Sequence, residues 1–209
     1  MDMTVWITGK KAIRVSFIVF LVLMAALAAW GCDKAEPVEP QGQEDAAGGD
    51  ETAVEGTVTV TLYFRYNADT QDWLAPEERT VSGTDDPHLI AMQELIAGPA
   101  PGSQLHAVLP NTVKVLDIGV ENGVCTVDVS KEILSDANQV GVSASGEVLA
   151  LSAIADTLTE FADVDRVKLL VEGMQSGMVE GRFVEDFWGH MGLPEYLERN
   201  EDLIYKSPS

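Results

Sequence analysis

The side chains of this sequence that could do chemistry fall into five sets. Gly141-Val142-Ser143-Ala144-Ser145 approaches the G-x-S-x-G order of a nucleophile elbow, in which a strand-to-helix turn presents a serine hydroxyl. Ser145 stands where the second glycine belongs, and the preceding Asp136–Val140 reads as loop rather than strand. The segment is therefore read as a helix-initiating loop with Ser143 or Ser145 as N-cap. His88, His106 and His190 have no metal-ligand spacing and are read as solvated or hydrogen-bonded surface residues. Asp85-Asp86 could touch a cation, but a helix N-terminus already favours acids there. Glu185, Asp186, Glu195, Glu198, Glu201 and Asp202 read as a solvated face, since glycoside hydrolysis needs two carboxylates across a cleft. Cys125 lies in an apolar strand pattern and is read as a buried core thiol. The expectation is a protein with no catalytic residues, no cofactor and no metal site: not an enzyme, with a cell-wall hydrolase as the alternative.

Cys32 belongs to a different chemistry. Lys10, Lys11 and Arg14 precede the uninterrupted apolar run Val15–Gly31, which stops at Cys32. Basic residues, an apolar stretch and a small residue before the end make the order of a secretory signal. With Gly31-Cys32 at its end, it resembles bacterial lipoprotein signals, in which the cysteine thiol is acylated and becomes the mature N-terminus. Trp30 and the position of Leu27 depart from that pattern. An uncleaved membrane anchor stays open, because about 20 apolar residues span a bilayer and somewhat shorter runs are tolerated. Either way the basic flank stays inside, which places everything after Cys32 on the extracytoplasmic face of the cell membrane. Lipidation is expected at Cys32, with residues 1–32 as the signal.

Residues 33–56 are acidic, broken by proline and glycine, and nearly free of large apolar side chains. Such a stretch cannot bury enough surface to offset its ordering entropy, and its like charges extend it. It is read as a flexible acidic tether. The whole chain carries a net charge of −21. Removing residues 1–32, where Lys10, Lys11 and Arg14 outweigh Asp2, leaves about −23. Phosphate backbones and anionic headgroups repel such a surface, so nucleic-acid binding is excluded and membrane contact is left to the anchor. With Cys32 acylated, Cys125 has no partner for a disulfide within the chain.

Beyond the tether, hydrophobic spacing predicts the elements. Val58, Val60, Leu62 and Phe64 alternate with polar residues and predict a strand; Arg79-Thr80-Val81 predicts a short second one. Asp86-Pro87 reads as N-cap and first helical position, with Leu89, Met92, Leu95 and Ile96 as the stripe and Gly98-Pro99 as the stop. Thr112–Val120 and Val124–Val129 are strands joined at Asn122-Gly123, the strongest short hairpin signal. A change of phase near Leu116 points to a bulge. A second helix is expected from Gly146 to Phe161, striped by Leu151, Ile154, Leu158 and Phe161, and a last strand around Val167, Leu169 and Val171. The order β-(β)-α-β-β-α-β predicts an α/β (α+β) domain: one mixed sheet with a central Asn-Gly hairpin and both helices on one face.

These segments resemble a GerMN domain, the module named after the sporulation and germination protein GerM. The resemblance is carried by Val58–Phe64, Leu74-Ala75-Pro76-Glu77-Glu78-Arg79, Leu95-Ile96-Ala97-Gly98-Pro99 and Leu109-Pro110-Asn111-Thr112. It continues through the Asn122-Gly123 hairpin into Val127-Asp128-Val129-Ser130, then Leu158-Thr159-Glu160-Phe161, Val171-Glu172-Gly173, and Gly189-His190-Met191-Gly192-Leu193 with Arg199. It covers roughly residues 57–200, leaving 201–209 as a C-terminal tail. It implies a fold similar to the ring-building modules of sporulation and secretion machines. It also implies an extracytoplasmic adaptor or assembly protein with protein partners at the cell envelope, or self-assembly. Where GerM has two such domains this chain has one, so a role in spore formation does not follow directly; sporulation, germination and other envelope processes all remain open. An envelope ligand-binding domain is a further alternative, though a single domain has no second lobe to close over a solute.

The tail aromatics Phe183, Phe187, Trp188 and Tyr196 lie outside any periodic element. They either pack back onto the sheet or stand out as interface anchors. Phe187, Trp188 and Tyr196 are the candidates for the second role.

Overall fold

The computed structural model describes residues 56–83 and 85–206. The signal, Cys32 and nearly all of the tether lie outside the described residues. Among the described residues, no helix is long and apolar enough to cross a membrane.

Two strands, β1 (Thr57–Asn67) and β2 (Asp72–Ser82), form an antiparallel ribbon paired along its whole length. The alternation of β1 sends Val60, Leu62 and Phe64 into the core. Helix α1 (Pro87–Ala97) starts where Asp86 Oδ1 accepts the backbone N–H of His88 at 2.8 Å. It stops at Gly98, whose φ of 88° only glycine adopts cheaply. Strands β3 (Val115–Glu121), β4 (Val124–Val129) and β5 (Arg166–Val171) make a three-stranded sheet in that order. β3 and β4 are antiparallel across Asn122-Gly123, where φ is 52° and 78°, as a tight primed turn requires. The register slips between Val115 and Asp117, which is the expected bulge at Leu116. β4 and β5 run parallel. The crossover between them holds a short α2 (Glu132–Ser135), a 3-10 turn and α3 (Ala144–Leu158). β6 (Met178–Val179) and β7 (Arg182–Phe183) make a small hairpin in the tail.

α1 and α3 pack on each other and both lie against β1, while α1 reaches β3 and α3 reaches β5. Phe64, Leu74, Met92, Leu95, Leu109, Ile154, Leu158 and Leu169 fill one core and are fully buried.

The α+β architecture is as expected, and five details differ. The first ribbon is hydrogen-bonded apart from the mixed sheet, so the strands do not form one sheet. β2 is eleven residues long rather than three. Its charged stretch hides the strand period because Glu77 and Arg79 lie on the half-buried face: Arg79 reaches Glu77, Glu94 Oε2 of α1 at 2.6 Å and the carbonyl of Gly98 at 3.1 Å. β3 begins at Val115, not Thr112, and α3 ends at Leu158, not Phe161. Finally, the domain runs past residue 200. Leu74 N–H donates to Leu203 O at 2.8 Å and Tyr205 N–H donates to Leu74 O at 2.7 Å, which adds the last segment to the outer edge of β2.

Candidate functional site

Helix α3 is buried nearly all the way round, from Leu149 to Leu158. A helix apolar on every side belongs inside a core. Here one side meets the strands and α1, and the other is wrapped by the tail after β7. Two polar fixings hold the wrap, and both use acids of α3.

The first is Glu147, whose side chain has no exposed surface. Its carboxylate accepts backbone N–H groups from His190 at 2.9 Å, Met191 at 3.1 Å and Gly192 at 2.9 Å. His190 Nδ1 lies 3.2 Å from the same carboxylate. A run of N–H groups converging on one anion is a backbone nest. Gly192 makes it possible, with φ at 80° and a would-be Cβ only 2.9 Å from the carbonyl of Glu185. The second is Asp156, also without exposed surface, whose Oδ1 accepts the N–H of Asn200 at 2.8 Å while Oδ2 has no partner. Burial raises its carboxyl to about 6. Next to it Arg199 donates to the Asp156 carbonyl at 3.1 Å and to Tyr63 Oη at 2.9 Å, and pairs with Glu160 at 2.8 Å and with Glu201. Tyr63 donates to Glu160 at 2.6 Å, and burial with that acceptor pushes its phenol up to about 12.

Between these fixings the wrap leaves an open groove of about 470 Å³. α3 supplies Val148, Leu151 and Ser152 to it; the tail supplies Met191, Leu193 and Tyr196. Glu185 and Glu198 also line it. Glu185 is held below the usual carboxylate range by backbone N–H groups, its own and that of Gly177. Met191 is 67 % exposed, the most exposed large apolar side chain among the described residues.

The residues singled out from the sequence land in different places. Tyr196 lines the groove, half-buried, with the Arg166 guanidinium 4.0 Å above its ring. Phe187 and Trp188 do not stand out as anchors: they are 3 % and 8 % exposed and stack on each other 5.0 Å apart. Trp188 Nε1 donates to Ile133 O at 2.9 Å, which satisfies the indole inside the fold. Phe183, in contrast, is exposed, opposite Met178 in the tail hairpin. Ser143 Oγ accepts the N–H of Gly146 at 3.0 Å, so it is the N-cap of α3. His88 is not a surface residue; it is buried between Asp86 Oδ1 at 2.8 Å and Asp163 Oδ1 at 3.1 Å, against the Phe161 ring. Cys125 is buried and its thiol is pushed up to about 12 by desolvation. No group of acids, histidines and cysteines among the described residues could hold a metal ion.

Glu147 and Asp156 were missed in the sequence. Each interrupts the apolar run of α3, and a charge inside a run that is otherwise buried was the available signal.

The fold has counterparts in solved structures. One holds the tandem GerMN domains of the sporulation protein GerM from Bacillus subtilis, with 24 % identity and a TM-score of 0.56 over 78 % of this chain and 51 % of that one. The chain thus spans about half the length of that structure. Another is the first GerMN domain of the same protein, with 21 % identity and a TM-score of 0.50 over 68 % of this chain and 98 % of that one. At these identities the likeness shows the fold alone. No curated protein matches the chain. The sequence profile of the Germane family, described as sporulation and spore germination, matches residues 61–177, more than half of the chain. The chain carries a GerM-like, sporulation- and germination-related domain and belongs to the Germane family.

Proposed function

We propose that this chain is an extracytoplasmic adaptor, tethered to the cell membrane through lipidated Cys32 and acting through protein–protein contacts rather than catalysis. The observation that carries the reading is the open, partly apolar groove between α3 and the tail, with Met191 exposed beside it. Solvent-exposed apolar surface rimmed by polar groups is the usual mark of a contact site. The basic and apolar order of residues 10–32, ending in Gly31-Cys32, supports the anchor. The acidic tether then holds the domain off the membrane, where a partner can reach it.

A photo-crosslinking amino acid placed in turn at Met191, Phe183, Leu116 and Glu78 in producing cells tests this. Discrete protein adducts from at least one position are expected. No adduct from any of them, together with loss of the cellular role in a folded Ser143→Ala, Ser145→Ala or His190→Ala variant, would replace the adaptor with an enzyme. The anchor is tested separately by mass spectrometry of the mature N-terminus. An acylated Cys32 is expected, and a mature chain starting elsewhere removes the lipid anchor.

A further inference from the structure

The groove also says what kind of partner fits it. We propose that it receives a short segment of another protein carrying an apolar anchor flanked by lysine or arginine. The inference rests on the adaptor reading and adds the chemistry of the occupant.

Three observations on the groove converge. Leu151, Met191, Leu193 and Tyr196 give it an apolar floor and one strongly exposed side chain, which suits an apolar anchor rather than a polar solute. Its charged lining is of one sign: Glu185, held ionised, and Glu198, with no lysine or arginine among the lining residues. Nearby cations are already engaged, Arg166 on the Tyr196 ring and Arg199 on Glu160 and Glu201. An incoming cation therefore meets carboxylates, and an incoming acid meets only repulsion. A net charge of −21 extends this preference beyond the groove and disfavours a second copy of the chain as the occupant.

Peptide display on phage against the full chain in nanodiscs of zwitterionic lipid tests the proposal, with empty nanodiscs as counter-selection. Recovered peptides are expected to share an apolar residue or pair flanked by Lys or Arg. Synthetic copies should bind more weakly at 500 mM than at 50 mM NaCl. Met191→Ser, which removes the apolar side chain without adding charge, and Glu198→Lys, both at exposed positions, should each weaken binding at least tenfold while melting like the parent. Recovery of no peptide, of peptides without basic enrichment, or of binders indifferent to both substitutions overturns the proposal. So does a concentration-dependent dimer in sedimentation that Met191→Ser abolishes, because the occupant is then a second copy. Failure here alongside cellular crosslinks from another position removes the groove and leaves the adaptor. Success here without any cellular crosslink does the reverse.

Discussion

The carboxylate of Glu147 lies 2.9 Å from the backbone N–H of Gly192, 45 positions further along the chain. With the N–H groups of His190 and Met191 it closes a loop around one buried anion. The tail is thus held to α3 by charge-assisted bonds that no apolar residue can replace. Glu147→Ala should destabilise the domain by about 3 kcal/mol or more, because three N–H groups of the tail lose their common acceptor and a fully buried side chain is emptied. Gly192→Ala should cost about 1–3 kcal/mol through its positive φ alone. Urea unfolding monitored by tryptophan fluorescence checks both, and parental midpoints would show that the nest does not hold the tail.

Asp156 predicts a pH dependence of defined sign. Its folded-state value of about 6 lies above the ordinary 3.8, so the native state holds its proton more tightly than the unfolded state does. The neutral acid contributes full stability below about pH 4, and that contribution is lost as pH rises towards 6. Asp156→Asn removes the titration and keeps an oxygen for the N–H of Asn200. The variant should therefore gain on the parent by about 1–2 kcal/mol between pH 4 and pH 7. A difference between the two that stays flat across that range contradicts the assignment. Comparing variant with parent cancels the opposite contributions of Asp86 and Glu185, both held low and away from Asp156.

Trp188 separates burial from display. Its ring is inside the fold and its N–H is satisfied there, so Trp188→Ala should act through stability, by about 3–5 kcal/mol. Calorimetry on the full chain reads this directly. A normal melting temperature combined with a lost partner would restore the ring as a contact anchor.

Gly123 completes the β3–β4 turn with φ at 78°, and a Cβ there would sit 2.2 Å from Asp165 Oδ2. Gly123→Val should lower stability by about 1–3 kcal/mol. Chemical denaturation checks it; an unchanged midpoint counts against the primed turn.

What could be read in the sequence was local. Asp86-Pro87, Ser143, Gly98, Asn122-Gly123 and the bulge at Leu116 act through their own backbone or the next turn, so residue type alone carries the signal. The misread parts depend on distant partners. β2 is strand because its backbone pairs with β1 along all eleven residues, and His88 is buried where Asp163 and the Phe161 ring meet it. For Phe187 and Trp188 the sequence leaves packing and display both open, because the tail around them has no period. Their burial comes from α2 and the core, reached only once the chain has turned back. The groove, between two segments some 40 positions apart, has no local signature.

The clasp between the two ends of the domain has a consequence for how the chain is made. Arg199 meets Tyr63 across 136 positions, and Tyr205 meets Leu74 across a similar span. A polypeptide delivered N-terminus first cannot cover the β1–β2 ribbon or the far side of α3 until these last residues arrive. Such long-range closure is slow, and it leaves the nascent chain open throughout delivery. For a chain exported as proposed above, this order suits a channel that admits only unfolded chains, since the last segment to emerge completes the core.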